Sequence, residues 1–125
     1  QFIVTLSAVG ILGSALVACR ANTKYSSGFK KDQFKAIETG HTTENVYAKL
    51  GVPAYAWFSG DDTFAHVDYI AEPARSLVES KLGTTGRYAQ LRYSVPRTGT
   101  DHYYLYYILL KANVVIEKGG PVLQD

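Results

Sequence analysis

The sequence lacks several features that would point to a particular class of protein. It contains one cysteine, so an internal disulfide is excluded and the chain is not a disulfide-stapled miniprotein. Methionine is absent even at position 1, and we therefore expect Gln1 not to be the translational start. The formal net charge is only +2, too small for a global field that recruits nucleic acid.

Catalytic and cofactor-binding motifs are also missing. There is no P-loop, no G-x-G-x-x-G and no G-x-S-x-G, and the histidines lie far apart without metal-site spacing. Cys19 has no neighbouring base that would make it a nucleophile. His66, Asp68 and the pair Asp61-Asp62 are interpreted as a polar strand face and a turn, with a small enzyme using His66 and Asp68 as the weaker alternative. The sequence thus predicts a non-enzyme without metal site, cofactor or small-molecule substrate.

Residues 1–19 form an apolar run with no charged side chain, followed by Arg20. Its end, Leu16-Val17-Ala18-Cys19, matches the bacterial lipobox, in which the cysteine thiol takes the lipid and small residues precede the cut. Left uncleaved, the run would rise about 28 Å as a helix, close to the hydrocarbon thickness of about 30 Å. A third alternative is a buried helix or strand of a soluble fold. The small residues that would pack on neighbouring membrane helices in the uncleaved form are Gly10, Ser14 and Ala18.

The two membrane interpretations place the rest of the chain on opposite sides. Lysines following the apolar run favour a cytoplasmic domain by the positive-inside rule if the helix stays in the membrane. A processed lipobox implies export instead. We expect a membrane-anchored domain of the bacterial cell envelope that faces the periplasm, attached to lipid through residues 1–19 or through acylated Cys19.

Two short helices are predicted after a polar linker. The first covers residues 29–38. The second follows Thr42, a good N-cap, and ends where Gly51 suits the left-handed C′ position and Pro53 prevents continuation. The apolar residues with which the two helices would cover a flat surface are Phe34, Ile37, Val46 and Leu50.

The ordered pattern Phe34-x-x-Ile37, Gly40-x-Thr42, Val46, Leu50-Gly51 and Pro53 resembles the opening of the BamE-like (SmpA/OmlA) lipoprotein family. The resemblance implies two helices packed on a three-stranded antiparallel sheet, with a lipobox upstream. It covers residues 34–53 well and continues loosely in the C-terminal aromatic strands. Two departures are a longer, more helical segment at 60–86 and Asn113, which stands where a hairpin glycine is common.

The predicted fold is α+β: two N-terminal helices packed on a three- to four-stranded antiparallel sheet, with one inserted helix and an N-terminal apolar membrane helix or lipoprotein leader. The inserted helix is expected at 73–82 between Pro73 and Gly83. Alternation predicts strands at 54–59, 63–70, 87–95, 102–110 and 114–117. The predicted organisation is an apolar signal or anchor at 1–19, a linker at 20–28, the BamE-like domain at 29–118 and a tail at 119–125.

The strand at 102–110 is apolar on both faces, so both faces need cover. Helices can cover one face in so small a domain. The other face is either open to a partner or covered by the inserted helix. Tyrosine suits an interface because it buries area while its hydroxyl still reaches water. The predicted partner-binding residues are Tyr103, Tyr104, Tyr106 and Tyr107.

The function expected from these observations is non-catalytic. A membrane-anchored envelope protein would scaffold or stabilise a larger membrane protein assembly, an outer-membrane assembly being the case that the resemblance implies. Its partners would be membrane lipid and other proteins of the complex, not nucleic acid. One alternative is a single-pass transmembrane accessory subunit of an integral membrane complex, and a second is a soluble protein-binding or inhibitor-like domain.

Overall fold

A computed structural model describes residues 22–83 and 85–124. Within these residues the fold is α+β, as predicted, with three helices, a five-stranded antiparallel sheet and a separate two-stranded ladder. The helices are α1 (Lys31–Ala36), α2 (Thr43–Leu50) and α3 (Arg75–Leu82). The strands are β1 (Thr23–Tyr25), β2 (Tyr55–Ser59), β3 (Asp68–Ala71), β4 (Tyr88–Arg92), β5 (Ser94–Pro96), β6 (Tyr103–Lys111) and β7 (Val114–Gln124).

The large sheet has the strand order β3-β2-β4-β6-β7, and every pair in it is antiparallel. The sheet is wider than the predicted three to four strands because all five alternating segments join one ladder. In the two-stranded ladder β1 pairs with β5, with Lys24 opposite Val95. That ladder lies beside the first half of β6, where β4 has ended.

All three helices pack on one face of the sheet. Alternation along each strand sends every second side chain to that face, where it meets the apolar sides of the helices. The inserted helix α3 therefore shares the face of α1 and α2, and the alternative that it covers the second face is wrong. The buried core consists mainly of Phe34, Ile37, Val46 and Leu50 from the first two helices, Val78 and Leu82 from α3, and Ala56, Phe58, Ala89, Leu91, Tyr106, Ile108 and Leu110 from the sheet.

The N-cap predicted for the second helix is confirmed. Thr42 Oγ1 accepts a hydrogen bond from the Asn45 backbone N–H at 3.1 Å, and Asn45 Oδ1 accepts one from the Thr42 N–H at 2.9 Å. Gly51 follows the helix with a φ of +75°, which lies in the region that favours glycine. The caps fix the length of α2, so Val46 and Leu50 reach the sheet.

The loop between the first two helices joins the edge of the sheet. Gly40 N–H donates to the carbonyl of Val115 at 2.9 Å, and Val115 N–H donates to the carbonyl of His41 at 2.8 Å. Lys118 Nζ, farther along β7, donates to the carbonyls of Phe34 and Lys35 at 3.0 and 2.9 Å. These carbonyls lie at the C-terminal end of α1, where the negative end of the helix dipole also stabilises a cation. β7 therefore holds the helix pair through backbone and side-chain contacts.

Two segments that were predicted to lie outside the domain contain strands. The predicted linker 20–28 contains β1, whose Tyr25 stacks on Phe29 with a centroid distance of 5.4 Å. The predicted tail 119–125 contains the second half of β7, which pairs with β6 through Gln124. The glycines and the proline in this segment predict the end of a strand when the local sequence is considered alone. In the structure the segment continues as a strand because it pairs with the long β6.

The strand predicted at 63–70 begins only at Asp68. Asp61 Oδ1 accepts hydrogen bonds from the backbone N–H and the hydroxyl of Thr63, at 3.0 and 2.6 Å, and holds the preceding segment in a turn. Phe64 has a φ of +54°, which is incompatible with a strand. His66 consequently lies in an exposed bend and not on a strand face.

No helix in the described part of the chain is long and apolar enough to cross a membrane. The predictions made for the N-terminal run, including Gly10, Ser14, Ala18 and Cys19, lie outside the described residues. The apolar membrane helix and the lipoprotein leader both stay predictions.

Candidate functional site

The sheet face opposite the helices, called the open face below, carries an aromatic cluster at its β3–β2 side. No helix of residues 22–83 and 85–124 lies on this face. Exposure is uneven across it. Tyr69 is 65% exposed and Tyr55 37%, whereas Leu105 and Leu109, farther along the sheet, are buried. The most exposed aromatic rings of the open face therefore lie on β2 and β3.

Trp57 and Arg92 form the centre of this cluster. Trp57 lies on β2 and Arg92 ends β4, and both strands send these side chains away from the core. The Arg92 guanidinium carbon lies 3.6 Å from the centroid of the Trp57 ring, a cation–π stack. Its Nε donates to Gln90 Oε1 at 2.7 Å and its Nη1 donates to the Tyr103 hydroxyl at 3.4 Å. The guanidinium is thus held flat and in one place.

Tyr55 and Tyr69 extend the aromatic surface. Tyr69 lies opposite Trp57 in the β2–β3 ladder, and their ring centroids are 6.4 Å apart. Tyr55 and Tyr69 meet edge to face at 6.3 Å. The rings support one another from neighbouring strands, so the surface is formed before any partner arrives.

A shallow groove of about 380 Å³ runs between these side chains. A second cavity, of about 270 Å³, adjoins it and shares Tyr55 and Val95 as a common ridge. Lys24 and Glu72, of opposite charge, line the second cavity. We call the first of these cavities the aromatic groove. It is lined by Tyr55, Trp57, Tyr69, Arg92, Val95, Pro96 and Tyr103.

Arg92 makes the aromatic groove electropositive. Burial lowers the pKa of its guanidinium and the neighbouring Tyr103 partly offsets this, but arginine stays protonated at neutral pH. The ion pairs found in residues 22–83 and 85–124 involve Arg75, Arg87 and His102, and none of them joins a carboxylate to Arg92. A half-buried cation with hydrogen bonds but no counter-charge attracts anionic groups.

The four tyrosines predicted to bind a partner are divided between the two faces. Tyr106 lies in the core against Phe34, with centroids 5.2 Å apart, and Tyr104 packs against the same core. Neither offers its ring to a partner on the open face. Tyr103 and Tyr107 do point to the open face, where Tyr103 borders the aromatic groove. Of the predicted residues, the structure brings Tyr103 alone to the groove.

Tyr107 interacts with the last strand, away from the aromatic groove. Its hydroxyl donates to Glu117 Oε2 at 2.6 Å, and this hydrogen bond is the main reason that the pKa of Tyr107 rises from 10.0 to about 12. Burial and the charge of Glu117 act in the same direction. Because the pair needs a protonated tyrosine, it stabilises the fold below pH 10 and is lost as the pH rises toward 12.

We therefore expect Glu117→Gln to lower the pKa of Tyr107 toward 10.0, its ordinary value. The neutral amide neither favours the protonated phenol by charge nor accepts as strong a hydrogen bond. The measurement is a pH titration of carbon-13-labelled tyrosine by NMR, with Tyr107→Phe assigning the signal. An unchanged titration of Tyr107 in Glu117→Gln would show that the carboxylate is not the cause.

The acidic residues considered as a site have structural partners instead. Asp68 pairs with Arg87 at 3.2 Å, and Asp61 holds the turn described above. The hydrogen bond to Thr63 lowers the pKa of Asp61. His41 Nδ1 accepts a hydrogen bond from the Glu38 N–H at 3.1 Å. The described residues contain no group of three His, Cys, Asp or Glu side chains able to hold a metal ion.

Sequence reasoning missed Tyr55, Trp57, Tyr69 and Arg92 as members of one site. Alternation within Ala54–Ser59 already places Tyr55 and Trp57 on one face and Ala56 and Phe58 on the other. The missing information was register. The pairing of Trp57 with both Tyr69 and Gln90 brings the three strands' outward side chains together.

Comparisons of the chain with protein-family models, with curated proteins and with solved structures find no match.

Proposed function

We propose that this protein is a non-catalytic binding module that holds another protein of a membrane assembly against its open sheet face. The observation that carries the proposal is the preformed, exposed aromatic cluster around Trp57 and Arg92 on the face opposite all three helices. Aromatic residues and arginine supply most of the binding energy in protein interfaces, because they bury large areas and still make hydrogen bonds.

Attachment to a membrane is the second part of the proposal, and it depends on residues 1–19. The lipobox at Cys19 and the resemblance of residues 34–53 to BamE-like lipoproteins support it. The first described residue is Asn22, and its carbonyl accepts a hydrogen bond from Arg97 N–H at 2.8 Å, next to the strand that carries Val95 and Pro96. An anchor ending at Cys19 would leave at most about 11 Å of chain before Asn22, so the strand that carries Val95 and Pro96 would be tethered close to the lipid.

Site-specific photocrosslinking tests the binding function. A photoreactive amino acid is placed at Tyr69 in the full chain, and a matched one at Leu77 on α3, which is 37% exposed on the opposite side of the molecule. We expect a discrete crosslink to a membrane-fraction protein from position 69 and none from position 77. Trp57→Ala should abolish the crosslink. Equal products from both positions, or none from position 69, would contradict the proposal.

Mass spectrometry of the mature protein tests the anchor. A diacylated N-terminal Cys19 would support a lipoprotein, and a peptide spanning residues 16–20 would support the uncleaved transmembrane form. Recovery of the unlipidated protein in the soluble fraction would contradict both and favour the soluble binding domain.

A further inference from the structure

We propose that the aromatic groove binds an extended protein segment in which a carboxylate lies next to an aromatic or aliphatic side chain. The inference rests on the proposed function and adds the chemistry of the segment. The carboxylate would pair with Arg92, and the apolar neighbour would lie on Tyr69 and Tyr55. Each half of the recognition follows from a separate set of contacts.

The geometry of Arg92 favours a carboxylate. A guanidinium has five N–H donors in a planar fork, and the bonds to Gln90 and Tyr103 use one on Nε and one on Nη1. The bond to Tyr103, at 3.4 Å, is long. Donors on Nη1 and Nη2 are left for a ligand, and a carboxylate accepts two parallel bonds from such a fork. Stacking on Trp57 fixes the plane of the fork, so little conformational entropy is lost on binding.

The charges surrounding the aromatic groove point to the same ligand. Lys111, on the open face, lies 4.9 Å from the centroid of the Tyr88 ring. Lys24 and Glu72 line the adjoining cavity and are of opposite charge. Glu117 also lies on this face, but its carboxylate accepts the hydrogen bond of Tyr107. Asp68 pairs with Arg87. Among these charged residues, Arg92 lines the aromatic groove itself, so the groove is positive, which complements an acidic segment and disfavours a basic one.

The apolar half of the groove suits a side chain beside that carboxylate. Tyr55 and Tyr69 present exposed rings whose planes differ by 73°, and Val95 and Pro96 also line the groove. The groove is open to solvent and not enclosed, so it fits an extended segment better than a small molecule that needs an enclosed pocket. An apolar residue next to an Asp or Glu would reach these rings while its neighbour reaches Arg92.

Trp57 reports on the site directly, since it is the only tryptophan of the chain. The full chain in a mild non-ionic detergent is used to select binders from a random heptapeptide library. The enriched peptides are then synthesised in pairs, one with its carboxylate and one with the corresponding amide. Each is titrated against Trp57 fluorescence. We expect enrichment of Asp or Glu beside an apolar residue, and about ten- to a hundredfold tighter binding of the acidic member, the range for a charge-assisted hydrogen bond.

Two variants separate the charge from the fold. Arg92→Gln should remove the difference between the paired peptides. Gln90→Glu keeps Arg92 and places a carboxylate where Gln90 Oε1 lies, 2.7 Å from Nε, so an internal counter-charge should weaken the acidic peptide about tenfold. Gln90→Glu retains the Trp57 stack and serves as the test if Arg92→Gln fails to fold.

Enrichment without carboxylates, no enrichment at all, or equal affinity of the paired peptides would overturn the inference. If neutral peptides are enriched and still alter Trp57 fluorescence, the proposed function is retained, because the groove would bind protein segments without selecting for a carboxylate. Loss of the crosslink from position 69 would instead remove the proposed function itself.

Discussion

Replacing Asn113 with alanine is expected to lower the free energy of unfolding by about 2–4 kcal/mol, through lost hydrogen bonds and backbone strain together. Asn113 has a φ of +62° in the turn between β6 and β7. Its Oδ1 accepts a hydrogen bond from the buried Thr43 hydroxyl at 3.0 Å, and its Nδ2 donates to the Glu79 carbonyl at 3.1 Å. One side chain thus connects the hairpin to the start of α2 and the end of α3.

Asn113→Gly separates the two contributions. Glycine adopts the left-handed backbone without strain but cannot make either side-chain hydrogen bond. We expect Asn113→Gly to be more stable than Asn113→Ala by about 1 kcal/mol, because that is the cost of placing alanine in the left-handed conformation. Urea unfolding followed by circular dichroism measures both variants. If alanine and glycine unfold at the wild-type urea concentration, the turn does not hold the helices and this account of the hairpin is wrong.

The same residue shows what the sequence could and could not predict. The turn at residues 111–113 is predictable from its position between two apolar strands, and asparagine tolerates positive φ. The contacts of Asn113 with Thr43 and Glu79 join residues 70 and 34 positions away in the chain. No local pattern encodes them, since they depend on where the helices pack on the sheet. Asn113 therefore has a tertiary role as well as a local one.

The open face was unpredictable for a related reason. The apolar character of β6 on both faces is plain from the sequence, but the choice of covered face depends on the packing of α3. Once Val78 and Leu82 join the core, the face of Tyr106 is covered and the face of Tyr103 is left without a helix. The aromatic groove then forms from strand register, which pairs residues that are remote in sequence.

The predicted tail is part of β7 because it pairs with the long β6 strand. Gly120 has a φ of +139°, and a Cβ atom there would lie 2.9 Å from the Leu105 carbonyl oxygen and from the Tyr106 Cα. Glycine is therefore required where the last strand approaches the backbone of β6. A Gly-Gly-Pro sequence indicates a breaker when read locally, but the neighbouring strand here requires the second of these glycines for close backbone approach.

Ser94→Ala is expected to be the other strongly destabilising substitution. The ladder between β4 and β6 ends at Arg92, and Tyr93 N–H makes one last bond, to the Tyr106 carbonyl at 2.8 Å. Beyond it the Ser94 hydroxyl donates to the Tyr104 carbonyl at 2.6 Å and accepts from Tyr106 N–H at 2.9 Å. Ser94 is buried, and its side chain replaces a missing strand partner of β6.

Alanine at position 94 would remove both of these hydrogen bonds from the interior of the sheet, at a cost of about 2–4 kcal/mol. The matched control is Thr100→Ala, since the Thr100 hydroxyl also donates to a backbone carbonyl, that of Arg97 at 2.7 Å, but in an exposed loop. Water replaces that bond, so we expect a change below about 0.5 kcal/mol. Urea unfolding gives both values, and hydrogen exchange should show faster opening at Tyr106 in Ser94→Ala alone.

Equal stability of the two variants would mean that water enters the junction and forms hydrogen bonds with the backbone of β6. The side chain of Ser94 would then be incidental to how the sheet divides at the end of β4, next to the aromatic groove.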